Sequence, residues 1–491
     1  MPVSFNQIPQ NLNTPLFYAE VDNSAANTAV DDMVALIIAP KLSTAKADSN
    51  KLIIVGTAEQ AAEQFGAGSV LSNMIKAYRN QDSLGTLYAV PVDDLSSGTS
   101  ASQTITVAGT ATAGGTLCVY VNSTLVQVGV SVDDEASDVA TALSAAINAE
   151  NDLGVTAQAS AGVVTVTSKH KGEIGNDLVL GLNLLGYING QVTPEGLSVT
   201  FGELTKGTGV PDLEDAFAAL KDEAFEFIGF PFSDATSLDT LKTYMTQAWS
   251  YNVQKYGHVY SAKRDTRENL ITFADSRNDE HVSVFAINPE DPNTNADRIG
   301  ATLGQAAVSV KADPARPFQT LELVGLMTPP ASARFDQENR ESLIKAGIAT
   351  WKDTNSNTQI ERAVTTYTEN AYGAADNSYK DAQTLHTLGY IIRFLRTRIT
   401  SKFGRHKLAD DGTKFGEGQA IVTPSIIKAE LVSAYSELEY AGLVENSKLF
   451  KDNLIVERNA TDVNRIDCLL PPDLVNQFRI FAMLVQFRLQ Y

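Results

Sequence analysis

The chain has 491 residues, 43% of them hydrophobic and 20% charged, which supplies apolar material for sizeable cores and excludes disorder throughout. With 38 basic against 58 acidic residues the formal net charge is −20, so nucleic acid is a poor partner for it. No apolar run approaches the roughly 20 residues of a membrane-spanning helix, and no membrane insertion is expected. The opening MPVSFNQIPQ carries neither the basic nor the apolar region of a signal peptide. Two cysteines, Cys118 and Cys468, are too few for a disulfide framework or a Cys-based zinc site. Both lie in apolar, strand-like runs (LCVYV, IDCLL) and read as buried thiols in a reducing compartment.

Residues 1–31 hold Pro2, Pro9 and Pro15 among Asn and Gln, and read as an extended arm. Strands are then expected at 34–39, 52–56 and 86–92, with a helix over 58–79, the pattern of an α/β layer with a buried sheet. At Asp93 the pattern changes. LSSGTSASQTITVAGTATA (95–113) reads as a Ser/Thr/Ala/Gly-rich solvated linker, followed by short strands at 116–121, 124–132, 163–168 and 178–184 and a helix near 134–150. From Asp212 the α/β rhythm resumes, with helices at 212–220, 236–253, 265–275 and 294–311 and strands at 225–231, 258–262 and 282–287. The economical reading is an α/β core, 32–92 plus 204–330, interrupted by an inserted β-rich domain at 93–203.

A third unit, α+β, is expected over 331–471. Asp336 caps a helix running to Gly347, and a long helix over 379–402 lines up Leu385, Leu388, Ile392, Leu395 and Ile399. Thr423-Pro424 starts a further helix that Gly442 ends. In the final segment, 472–491, every second residue is apolar (Phe481, Met483, Val485, Phe487, Leu489, Tyr491), whereas Gln486, Arg488 and Gln490 are polar. That period of two is a strand with one greasy face, to be used either as an edge strand of its own domain or by donation to a neighbouring subunit.

Motifs for chemistry are missing. Lys206-Gly-Thr-Gly209 lacks the lysine and hydroxyl of a phosphate loop, Gly56 has no dinucleotide fingerprint around it, and no GxSxG elbow occurs. His170, His258, His281, His386 and His406 have no metal-ligand spacing, so neither a metal nor a cofactor is expected. One charge feature stands out. Arg393, Arg396, Arg398, Lys402, Arg405 and Lys407 follow one another with no carboxylate between them, either a solvated helix face or a docking patch for an acidic partner.

Taken in order, SFNQIPQNLNTPLFYAEVDNSAAN, the stretch 51–92, LTKGTGVPDLEDAFAAL and the ending VERNATDVNRIDCLLPPDLVNQFRIFAMLVQFRL resemble the contractile tail sheath protein of Mu-like bacteriophages. The resemblance implies a sheath-type core of subtilisin-like topology without a catalytic triad. It implies a homo-oligomer of hexameric rings stacked around the tail tube protein, bounded by baseplate and tail terminator proteins. Such a sheath is a virion component assembled in the host cytoplasm, and it contracts to drive the tube through the host envelope for genome ejection. Its terminal arms, here 1–31 with Phe5, Leu16, Phe17 and Tyr18 and 472–491, add strands to neighbours' sheets, and the basic run 393–407 grips the tube. Rival readings are the sheath of a phage-derived injection machine or bacteriocin, and an α/β hydrolase, for which no ordered Asp-His-Ser signature is present.

Overall fold

In a computed structural model that describes residues 33–416 and 418–489, β1 (Ala35–Pro40) is buried along its whole length. A strand buried on both faces needs helices above and below it. After β2 (Ile53–Ile54), the expected helix over 58–79 divides into α1 (Ala58–Phe65) and α2 (Val70–Arg79), capped by the Thr57 and Ser69 side chains. The break is made by Gly66 and Gly68, at φ +92° and +79°, where an L side chain is strained. The chain then runs through β3 (Leu87–Val92) and leaves the sheet.

The insertion contains β4 (Ser100–Gly109), β5 (Gly115–Val121), β6 (Thr124–Val130), α3 (Ala136–Ala149), β7 (Val155–Ser160), β8 (Val163–Lys171), β9 (Leu180–Leu182) and β10 (Leu197–Phe201). Two antiparallel sheets, ordered β10-β4-β8-β7 and β6-β5-β9, enclose their own core with α3 through Ile105, Val119, Val126, Leu143 and Val164. The stretch read as a linker is therefore corrected, because most of it is β4, an inner strand paired on both sides. Its Ser and Thr face outward while Ile105 and Val107 face the core, so composition hid a strand that Thr favours. The two ends of the insertion are bridged to each other, Thr99 with Thr208 and Ser102 with Thr205.

The returning chain forms α4 (Glu214–Ala218), β11 (Phe227–Gly229), α5 (Ala235–Ala248), β12 (His258–Arg264), α6 (Arg267–Asp275), β13 (Val282–Ile287) and α7 (Asn295–Ala312). The central sheet runs β13-β12-β11-β1-β3-β2, parallel except for β2. One face is covered by α2 and α7, with Met74, Ile299 and Leu303 in the core, and the other by Leu238, Leu241 and Met245 of α5. α7 lies close on α2 because Gly300 and Gly304 have no Cβ: one added at Gly300 would fall 2.3 Å from the Met74 carbonyl oxygen.

The C-terminal unit expected from residue 331 begins later. β14 (Glu322–Leu323), β15 (Thr350–Asp353) and β16 (Thr358–Arg362) form a small sheet, with α8 (Gln337–Lys345) between β14 and β15 in the chain. Ala349 bridges Phe285 of β13, and Trp351, Ile360 and Val364 belong to the main core. The chain divides into two units, Met33–His386 and Thr387 onward, and the division falls inside α9 (Ala382–Phe403). On α9 the expected apolar line holds at Leu385, which is buried, and breaks at Ile392, which is exposed while its neighbour Ile391 is buried. The second unit holds β17 (Lys407–Leu408), β18 (Ile421–Val422), α10 (Pro424–Tyr440), α11 (Ser447–Asn453), β19 (Ile455–Arg458) and β20 (Ile466–Leu469). Cys118 is buried in β5, but Cys468 is exposed on the two-stranded hairpin β19–β20, which corrects its reading as a core thiol. No helix among the described residues is long and apolar enough to cross a membrane.

Candidate assembly segments

The C-terminal segment starts from a defined root. Tyr435 of α10 stacks on Phe450 of α11, ring centroids 3.7 Å apart. Its hydroxyl donates to the Glu445 carbonyl (2.7 Å) and accepts from the Asp473 amide (3.0 Å). Val444 and Leu474 form an antiparallel bridge, flanked by Glu445 N–H to Asp473 O (2.9 Å) and Val475 N–H to Leu443 O (3.2 Å). The Asn446 amide donates to the Asp473 carboxylate at 2.6 Å.

Beyond this root, no residue from Ile480 to Leu489 belongs to a strand. Phe481, Met483, Val485, Phe487 and Leu489 are 68–81% exposed, and Ile480 and Leu484, on the alternate positions, are exposed as well. Tyr491 and the N-terminal Phe5, Leu16, Phe17 and Tyr18 lie outside the described residues.

The basic run is partly engaged within its own unit. Arg398 contacts Glu430 (2.5 Å) and Glu437 (2.7 and 3.0 Å), and Lys402 contacts Glu430 (2.5 Å). Burial pushes the Glu430 carboxyl up, but the bonds from Lys402 and Arg398 outweigh it and hold the pKa below the ordinary glutamate value. Two of the six cations thus tie α9 to α10. Arg396, Arg405 and Lys407 are exposed, and Arg393 is half-buried. Glu430 and Glu437 stand 32 and 39 positions from Arg398, too far for charge patterning along the chain to associate them.

A polar cluster that sequence reasoning missed lies in the larger unit. His258 Nε2 meets Ser283 Oγ at 2.9 Å, and His386 bridges Glu226 (2.6 Å) and the Tyr260 hydroxyl (2.8 Å). A serine beside a histidine is the start of nucleophilic chemistry, but every member of this cluster is at most 4% exposed. Burial holds the His258 pKa well below the usual histidine value and keeps the ring neutral. The cluster does not line the cleft of about 200 Å³ at the carboxyl ends of β1, β11 and β12, whose walls include Lys171, Asp177, Asp234, Arg264 and Asn295. There Asp177 of the insertion is engaged by Arg264 at 2.6 Å and by the Asn295 amide. The Lys206–Gly209 turn spends its polar groups internally, Gly207 N–H on Asn176 and Gly209 O on the Glu173 amide. Among the described residues no three His, Cys, Asp or Glu side chains are grouped to hold a metal.

Residues 96–198, 206–366 and 374–488 match, in turn, the phage tail sheath protein β-sandwich domain, the phage tail sheath protein central domain and the phage tail sheath C-terminal domain. The chain is also 38% identical over 492 positions to the Mu-like prophage FluMu tail sheath protein of Haemophilus influenzae, spanning 99% of this chain and 100% of that one. The chain belongs to the phage tail sheath protein family. Tail sheath proteins are structural components of the virion, and no catalytic activity is indicated for this one. Among solved structures, the sheath tail protein of Desulfitobacterium hafniense is similar with a TM-score of 0.48 at 12% identity, covering 94% of this chain and 100% of that one. That of Listeria innocua gives 0.48 at 11% (92% and 94%), and a chain of the anti-feeding prophage baseplate gives 0.47 at 9% (100% and 99%).

Proposed function

We propose that this tail sheath protein polymerises as stacked hexameric rings around a tail tube and contracts to drive the tube through a host envelope, joined to its neighbours by donated strands. The observation that carries the reading is the exposed segment Ile480–Leu489. It offers unpaired backbone and a row of large apolar side chains to water, which β-augmentation onto another copy would cover. A receiver of suitable form is the β19–β20 hairpin. Ile455 and Leu469 stand opposite each other in its register and are both exposed, and a two-stranded ribbon is marginal until further strands join it. The N-terminal segment, with Phe5, Leu16, Phe17 and Tyr18, is assigned the same role.

Contraction asks the bodies to exchange one set of contacts for another while the chains stay attached. Strands held on extended linkers meet that need, since each joint is a bundle of backbone hydrogen bonds that keeps its partner at high effective concentration. The basic run, Arg393, Arg396, Arg398, Lys402, Arg405 and Lys407, is assigned to the tube. Baseplate and tail terminator proteins bound the polymer, which assembles in the host cytoplasm without cofactor or catalysis. A core of subtilisin-like topology without a triad is part of this reading, supported by β1 lying inside a mostly parallel sheet. The hydrolase alternative is not favoured, because the serine–histidine pair is sealed from solvent; nothing singles out an injection-machine or bacteriocin sheath over a phage one.

Deleting residues 478–491 tests the reading. The expected product is a folded monomer with a thermal melt like that of the full chain before assembly, and no tubes in negative-stain micrographs or fast-sedimenting material. Tubes of ordinary length from the truncated chain would overturn it.

A further inference from the structure

The insertion meets the core at a joint with space on both sides of it. Asp93 and Asp94 are neighbours in the chain but are held by different bodies. Asp93 is bonded to Lys41 (2.9 Å) and Ser49 (2.5 Å) of the core, and Asp94 to His170 Nδ1 (3.0 Å) and the Lys171 amide (2.9 Å) of the insertion. On the return, Gly207 and Gly209 are still bonded to Asn176 and Glu173, whereas Leu213 lies in the core, so Val210–Pro211 makes the crossing. Ile174, Asp177 and Asn295 stand between two spaces: they line both the cleft of about 200 Å³ and a second cavity of about 60 Å³ behind it. A close-packed joint would leave neither.

Behind this partition, His170 Nε2 accepts from the Val70 amide at the start of α2 (3.1 Å), Lys76 pairs with Asp152 (2.6 Å), and Asn73 donates to the Asp152 carbonyl (3.2 Å). In front of it, Lys171, Glu173 and Lys206 line the insertion side of the cleft, and Asp234, Lys263 and Asp265 the core side. Apart from Asp177 with Arg264, no ion pair among the described residues joins the two walls. β8 sends His170 to the rear and Lys171 to the front, as consecutive residues of a strand must.

We propose that the insertion is a rocker on the Asp177–Arg264 pair, hinged at Asp93–Asp94 and Val210–Pro211. In the observed pose the rear contacts are made; in a second pose the cleft is shut, its opposite charges pair and the rear contacts part. Exposed ion pairs are individually weak and the rear contacts are few, so the two poses lie close in free energy. The insertion keeps its own apolar core in both, and a sheath subunit thereby offers its neighbours two outlines without refolding.

Spin labels at Thr200→Cys and Thr236→Cys, both exposed positions, report the distance between the bodies by double electron–electron resonance. The full chain is used in a Cys468→Ser background, with Cys118 buried, below the concentration at which it polymerises. Two distances are expected, the longer dominant. His170→Ala with Asp152→Ala removes rear contacts and should raise the ratio of short to long about tenfold, whereas Lys171→Glu with Lys206→Glu sets like charges against Asp234 and Asp265 and should lower it about tenfold. Opposite shifts are what a rocker gives, since a joint merely weakened would broaden in both variants. One unshifted distance in all three proteins, or the same broadening in both variants, overturns the proposal. Should the rear variant fail to fold, Asp152→Ala alone, at an exposed position, takes its place and must move the ratio in the same direction.

Discussion

Arg298 carries more of the fold than its place on a helix announces. Its side chain is 1% exposed, paired with Asp291 and, at 3.1 Å, with Asp353, and its guanidinium lies 4.9 Å from the centre of the Trp351 ring. That ring stacks on Phe285 at 4.6 Å and donates through its indole N–H to Thr302 at 3.0 Å, so one cation joins α7, β13 and β15. Burial pushes the Asp291 carboxyl up against the pull of Arg298, which marks a site where removing the cation strands two carboxylates away from water. Arg298→Met should cost about 3–5 kcal/mol of stability. Urea unfolding of the unassembled protein measures it, and a loss below about 1 kcal/mol would mean the carboxylates find other partners. In the sequence Arg298 looks like any solvated helix cation; nothing local separates it from Arg396, which is exposed.

At the scale of elements, α9 and α10 are joined by charge. Because the pKa of Glu430 is held below the ordinary glutamate value in the folded unit, its contribution is complete above the unfolded-state pKa and is lost as pH falls through the folded one. Arg398 and Lys402 are 31% and 47% exposed, so solvent screening limits that contribution to about 1 kcal/mol. Glu430→Gln is therefore expected to lower the melting temperature at neutral pH and to flatten the fall in stability as pH drops below the ordinary glutamate value, where the two curves should converge. Melting curves of wild type and variant across that range decide it, and parallel curves throughout would remove the linkage. Helix starts at this scale were legible, since Asp336 and Thr423-Pro424 cap where their chemistry says they should. The buried face of α9 was legible at Leu385 but not further on, because a shift of one position, about 100° around the helix, exchanges Ile391 for Ile392 and only the packed neighbours decide between them.

For the whole molecule, the insertion is an independent core on closely spaced ends. Residues 93–203 include 12 acidic and only 2 basic side chains, so half of the net charge of −20 resides there. Joining Thr99 to Thr208 through two glycines should leave a core that still melts cooperatively, at a lower temperature because Arg264 loses Asp177. Circular-dichroism melting shows the outcome, and a non-cooperative or insoluble product would make the insertion part of the core's own folding.

The sequence alone determined the alternation of strand and helix, the caps at Asp336 and Thr423, Val282–Ile287 as a buried strand, the terminal segment of period two and the family to which the order of these pieces points. All of these depend on residues within a few positions of one another, where propensity and periodicity act. The order of strands in the central sheet, the pairing of β4 inside the insertion, the burial of Arg298 and the capture of Arg398 by Glu430 were decided only in the tertiary structure. Each depends on segments that the fold brings together from distant parts of the chain, the sheet and the insertion by excluding water from apolar faces and the arginines by pairing their charge, and no pattern along the chain announces them.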